Sequence, residues 1–182
     1  MKVIKYPERA DWAMLLQRPV KEYKTIKEVV KPILAKVKAK GDLALKKLAL
    51  EYDHVELDTL LVSPQEIKEA AKRVPKALKE AIDVAAKNIE AFHKAQEMPE
   101  LYLETMPGVM CRRKAVGIEK VGLYIPGGTA PLFSTVLMLG IPARLAGCKE
   151  IVMCTPTDEL GRINPVILYA AQLVGITRIV KV

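Results

Sequence analysis

The sequence predicts an α/β fold in which a helical N-terminal segment precedes a βαβαβ parallel-sheet unit. Three observations lead there. Apolar residues recur at three- and four-residue steps until about residue 105. Short apolar strands then alternate with helix-length apolar segments from Val121 to Val182. Between the first such strand and its helix lies Tyr124-Ile125-Pro126-Gly127-Gly128-Thr129-Ala130-Pro131, a glycine-rich loop. Adjacent glycines let a backbone approach a ligand closely, and the N–H groups at the following helix start suit an anion.

The elements follow in chain order. Thr25-Ile26-Lys27-Glu28 has the form of a capping box, and Ile26, Val29, Val30, Ile33, Leu34 and Val37 continue one amphipathic helix to Gly41. Pro32 is the position where that helix is expected to kink. Asp42 is read as the cap of a second helix, carrying Leu43, Leu45 and Leu48 and ending near Tyr52-Asp53. Ser63-Pro64-Gln65-Glu66 is another capping box with proline at the first helical position, and Pro75 separates this short helix from a longer one. On the longer helix Leu78, Ile82, Ala85, Ile89 and Phe92 form one stripe, and Met98-Pro99 ends the segment.

From Leu101 the period changes to two. A hairpin around Met106-Pro107-Gly108 is expected, with its second arm running from Val109 to Val116. Strands are then predicted at Val121–Ile125, Glu150–Cys154 and Arg178–Val182, with helices at Leu132–Ala146 and Asn164–Val174. Right-handed crossovers make these three strands parallel and set ligands beyond their carboxyl ends. The chain therefore divides into a helical region, residues 1–105, and a hairpin plus βαβαβ portion, residues 106–182, of an incomplete Rossmann-like domain. Two loops reach the ligand edge, Tyr124–Ala130 and Thr155–Gly161.

Composition narrows the functional classes. The chain has 182 residues, 51% of them hydrophobic, enough for one real core. Its wholly apolar runs fall short of the roughly 20 residues of a membrane helix, and the N-terminus lacks a signal-peptide apolar region, so a cytoplasmic soluble protein without a membrane partner is expected. Cys111, Cys148 and Cys154 form neither a disulfide framework nor a zinc motif, and are expected to be reduced packing residues. The net charge of +8 is spread as +3 up to residue 105 and +5 beyond it. Lysines of the first part interleave with glutamates on helix faces, the pattern of a solvated surface. Arg112-Arg113-Lys114 is the dense basic run, but strand alternation sends its neighbours to opposite faces, so a nucleic-acid partner is not expected.

The glycine loop matches neither the Gly-x-Gly-x-x-Gly fingerprint nor a phosphate loop ending in Gly-Lys-Ser/Thr. On composition alone it reads equally as a tight strand-to-helix turn. The run from Val121 through Met138 nevertheless closely resembles histidinol dehydrogenase. Ile141–Cys148, Cys154-Thr155-Pro156 and Ile167–Leu173 are similar to that family's next segments in the same order, and Gly41–Leu45 and Pro107-Gly108-Val109 with Cys111 resemble it upstream.

The resemblance implies a cytoplasmic, homodimeric, zinc-dependent enzyme that oxidises L-histidinol to L-histidine through histidinal with two NAD, in histidine biosynthesis. It also implies that this chain is the first part of such an enzyme, ending before the catalytic and zinc-binding residues. By the family motif Tyr124 is expected to contact NAD. Pro126, Gly127 and Gly128 are expected to shape the cofactor cleft by their loop position. No catalytic or metal residue carries over, and the fragment alone is expected to be inactive. Its alternative is a non-catalytic nucleotide- or anion-binding module.

The other polar candidates have plainer readings. His54 and His93 lack triad partners and the convergent donors a catalytic zinc needs. Asp158 follows the second strand of the unit, where a ribose-binding acid sits in related folds, but its proline-containing loop favours a solvated turn. Ser134 and Thr135 are explained by helix-start chemistry. Arg178–Val182 is expected to be an unprotected edge strand through which fragments would self-associate.

Overall fold

The computed structural model describes residues 3–18, 23–127 and 130–182. Two compact units are present, Met1–Gly41 and Asp42–Val182. In the first, a 3-10 turn at Arg9–Asp11 leads into α1 (Trp12–Leu15), where the Trp12 indole N–H donates to the Pro7 carbonyl at 3.3 Å. The helix α2 spans Tyr23–Lys40 and carries Pro32 within it. Thr25 is already inside this helix, so its expected capping role is not realised. The apolar stripe of α2 is present but unburied, with Ile26, Val29, Val30 and Leu34 exposed.

The second unit begins with α3 (Asp42–Leu48), whose first residue is Asp42, and a π-helical turn at Ala49–Asp53 extends it to the expected end. His54 closes the turn in the left-handed region, at φ 56°. Ser63 caps α4 (Pro64–Arg73), its hydroxyl accepting from the Glu66 N–H at 3.1 Å, and Pro64 occupies the first turn. The longer α5 spans Lys76–Lys94. Its stripe buries Ile82 and packs Leu78, Ala85 and Ile89 against the core, whereas Phe92 is exposed near the helix end.

The hairpin pairs β1 (Leu101–Met106) with β2 (Val109–Arg113) in antiparallel register. Its second arm stops at Arg113 rather than Val116. The turn contains Gly108 at φ +83°, with its N–H donating to the Glu104 carboxylate at 2.8 Å. Both strands are exposed along their length, and Cys111 is exposed with them rather than packed. Arg112 pairs with Glu100 at 3.1 Å and lies over the Tyr102 ring, while Lys114 stands 4.0 Å from the same carboxylate. The basic run is thus partly neutralised within the hairpin.

The parallel sheet has the order β3-β4-β5, formed by β3 (Lys120–Tyr124), β4 (Glu150–Thr155) and β5 (Arg178–Lys181). Its crossovers carry α6 (Phe133–Leu145) and α7 (Pro165–Val174). Val121 pairs with Ile151, Leu123 with Met153, and Met153 with Ile179, which sets these side chains on one face. That face meets Val136, Leu137 and Ile141 of α6 and Ile167, Leu168 and Ala171 of α7. Behind it, α4 packs on α7 and α5 on α6. Gly140 permits close packing of the last two crossover helices: a Cβ there would lie 2.5 Å from a Val174 methyl. Asn164 caps α7 by accepting from the Val166 N–H at 2.9 Å.

The opposite face is covered at β5, where Val180 packs with Ala49, Val55, Leu57 and Leu60. The outer edge of β5 is also occupied, which corrects the expectation of an exposed C-terminal strand. Leu61 bridges Val180, the Lys181 N–H donates to the Leu60 carbonyl at 2.8 Å, and the Val62 N–H donates to the Ile179 carbonyl at 3.0 Å. Lys181, with a side chain 10% exposed, pairs with Glu66 at 3.0 Å and ties β5 to α4. An edge whose donors and acceptors are already used offers a second copy little to pair with.

Candidate functional site

The carboxyl ends of β3 and β4 meet in a cavity of about 350 Å³, lined in part by Arg73, Pro126, Gly127, Pro156, Arg162 and Asn164. Three elements position these groups. Parallel pairing continues one residue past β3, because the buried Ile125 N–H donates to the Cys154 carbonyl at 2.9 Å. That bond fixes where Pro126 and Gly127 leave the sheet. On the facing loop Pro156 follows Thr155, the buried last residue of β4.

Gly127 is required by proximity. A Cβ built there would lie 2.6 Å from Pro156 Cγ, inside van der Waals contact, so the two loops approach as closely as they do only because the side chain is missing. Its φ lies outside the left-handed region.

The sequence candidates separate into groups. Pro126 and Gly127 line the cavity together. Gly128 lies outside the described residues. Tyr124 stands at the end of β3, opposite Cys154 in the sheet register, and does not line the cavity. Its side chain is on the open face of the sheet and the residue is 60% exposed, a free aromatic surface beside the loop. Burial raises the Cys154 thiol above its ordinary value, which favours the neutral form. Neither Ser134 nor Thr135 lines the cavity.

Asp158 organises its own loop. Its carboxylate accepts from the Leu160 N–H at 3.0 Å, the Arg162 N–H at 2.8 Å and Arg162 Nε at 3.1 Å. Desolvation pushes the carboxyl up, but the Arg162 N–H and guanidinium, the Leu160 N–H and the Arg162 charge outweigh it and hold it below the usual value. A depressed folded value contributes stability above the unfolded value, and that contribution is lost as pH falls through the folded one. Amide exchange at Leu160 and Arg162 is therefore expected to quicken below the ordinary aspartate range relative to the intrinsic rate. Asp158→Asn should remove that acid-induced step.

His93 is half-buried and its Nδ1 meets Gln96 Oε1 at 2.8 Å, while His54 closes the π-helical turn. Among the described residues no group of three His, Cys, Asp or Glu side chains could hold a metal. The described residues therefore do not fit a zinc centre.

Arg73, Arg162 and Asn164 are cavity residues that motif reading did not select. Asn164 carried a signal, the Asn-Pro start of a helix. Arg73 carried none, since α4 is brought to the sheet edge by long-range contacts, its packing on α7 and the Glu66–Lys181 pair.

Comparison with known proteins adds a lineage to this geometry. A family model described as histidinol dehydrogenase matches residues 16–182. Histidinol dehydrogenase of Bacteroides fragilis strain YCH46 is 54% identical over 182 residues, covering 100% of this chain and 42% of that protein. That of Xylella fastidiosa strain Temecula1 is 45% identical, covering 98% and 42% respectively. The crystal structure of histidinol dehydrogenase from Elizabethkingia anophelis superposes with a TM-score of 0.91 at 48% identity, over 96% of this chain and 40% of that one. The chain thus spans about two fifths of the length of these relatives.

Proposed function

Because the chain belongs to the histidinol dehydrogenase family, we propose that it carries one wall of an NAD site for the oxidation of L-histidinol in histidine biosynthesis. The observation that carries this reading is the close approach of Gly127 to Pro156, which forms a cavity at the carboxyl ends of two adjacent parallel strands. Gly127 brings backbone to the cavity where a side chain would meet Pro156, and Pro126 lines the cavity beside it. Tyr124 offers a ring face at the same edge for stacking against one of the cofactor's planar groups. Gly128 belongs to the same loop by sequence.

Bound NAD supplies a hydride acceptor, and the residues named here bind and orient it. The base and metal chemistry of alcohol oxidation need donors that these residues do not bring together. The 182 residues alone are therefore proposed to bind cofactor without turning over L-histidinol.

Calorimetric titration of NAD tests the reading, with Tyr124→Ala as the control. Saturable binding that weakens at least about tenfold in the variant is expected from loss of a stacking surface. Because Tyr124 is exposed, its replacement should leave the unfolding free energy within about 0.5 kcal/mol. The same preparation supplied with zinc and L-histidinol should give no NAD reduction. Absence of binding at millimolar NAD would overturn the half-site, and measurable reduction would overturn the division of chemistry.

A further inference from the structure

We propose that Arg73 is the anion anchor of this cavity, holding the pyrophosphate of the dinucleotide; the assignment of the anion rests on the NAD reading above. Arg73 ends α4 and lines the same cavity as Pro126 and Gly127. Its helix is held at three points. Ser63 caps the start, Ala70 is fully buried in the core, and Glu66 pairs with the nearly buried Lys181. A helix so fixed sets the root of the Arg73 side chain at the cavity before any ligand arrives, and the exposed guanidinium extends from it.

Charge pairing singles this residue out. In the Asp42–Val182 unit, Arg112 pairs with Glu100, Arg144 with Glu90, Arg162 with Asp158 and Arg178 with Glu150. Among the described residues of this unit Arg73 and Arg113 are the arginines with no carboxylate within 4.0 Å, and of the two only Arg73 lines the cavity. The cavity's own acid does not neutralise it, because Asp158 is committed to Arg162 and to two backbone amides. Among the described residues the cavity thus keeps a cation with no carboxylate within 4.0 Å, beside a wall of backbone and proline. A guanidinium matches phosphate oxygens in a bidentate fork, and a diphosphate supplies the charge the cavity lacks.

A cation in the last turn of α4 also complements the helix dipole. Ligand binding separates the two roles. Titrations of the full chain with NAD, ADP, adenosine and inorganic pyrophosphate are compared for wild type, Arg73→Gln and Arg73→Lys. Arg73→Gln is expected to weaken ADP and NAD about tenfold while leaving adenosine unchanged, as loss of a charge-assisted contact requires. Arg73→Lys should fall between, since it keeps the charge and loses the fork. Equal binding of ADP and NAD by wild type and Arg73→Gln would overturn the anchor and leave the NAD reading standing. Pyrophosphate binding that depends on Arg73, with no binding of NAD, would sustain the anchor and overturn the NAD reading. Failure of every ligand to bind wild type would overturn both.

Discussion

Leu168→Ala is expected to destabilise the Asp42–Val182 unit by about 3 kcal/mol and to lower its Tm by about 10 °C. Leu168 lies in the middle of α7 and is 1% exposed. It belongs to the core cluster that joins Met153 of β4, Ile141 of α6 and Ala70 of α4. Truncation removes three methyl or methine carbons from a site enclosed by two helices and a sheet, which can close only partly around the gap. Leu160→Ala is the matched control, because Leu160 is 71% exposed on the loop before α7 and should shift stability by less than about 0.5 kcal/mol. Urea unfolding of the two variants reads the difference. Similar midpoints would mean that α7 does not form the centre of the core.

Gly127→Val is expected to abolish ligand binding to the cavity while changing stability little. The new side chain would meet Pro156 Cγ, a ring atom with few ways to move aside, so the two loops must separate. Pro126, Gly127 and Pro156 are not themselves members of the core cluster, so the displacement falls on the loops. A fall of at least about tenfold in affinity for NAD or ADP corresponds to about 1.4 kcal/mol. The cause can be tested by a double-mutant cycle with Pro156→Ala. If steric contact is responsible, removing the ring should restore part of the binding lost in Gly127→Val. Additive losses would assign the defect to Gly127 alone and remove the loop-contact explanation.

The sheet was legible because its strands are short, apolar and bounded by glycine, proline or capping residues. Val121–Ile125 is offset from β3 by one residue at each end, and Glu150–Cys154 and Arg178–Val182 differ from β4 and β5 by one residue at the C-terminal end. The second-half helices were equally clear, since Asn164-Pro165 and Gly175 mark both ends of α7. Local signals misled where context decides. Thr25 has capping chemistry, yet α2 starts at Tyr23 and leaves it inside the helix. Phe92 keeps helical spacing, but the core does not extend to cover it.

Long-range features had no local signature. The edge of β5 is closed by Leu60–Val62, more than a hundred residues earlier, through two hydrogen bonds that form no extended strand. Arg73 reaches the cavity by the packing of α4 on α7. At the candidate site, the glycine loop was visible as a motif, but Gly127 gains its physical reason only from the position of Pro156. The Asp158 carboxylate likewise reads as available in the sequence and is engaged by its own loop in the fold.

The central claim is that a dinucleotide meets this chain at the carboxyl ends of β3 and β4. Amide chemical-shift mapping of the labelled chain during NAD titration tests it most directly. The account predicts saturable shifts concentrated at Tyr124, Ile125, Gly127, Thr155 and Thr157, with the hairpin residues Leu101–Arg113 unchanged. Shifts confined to the hairpin or to the Met1–Gly41 unit, or no shifts at millimolar NAD, would contradict it.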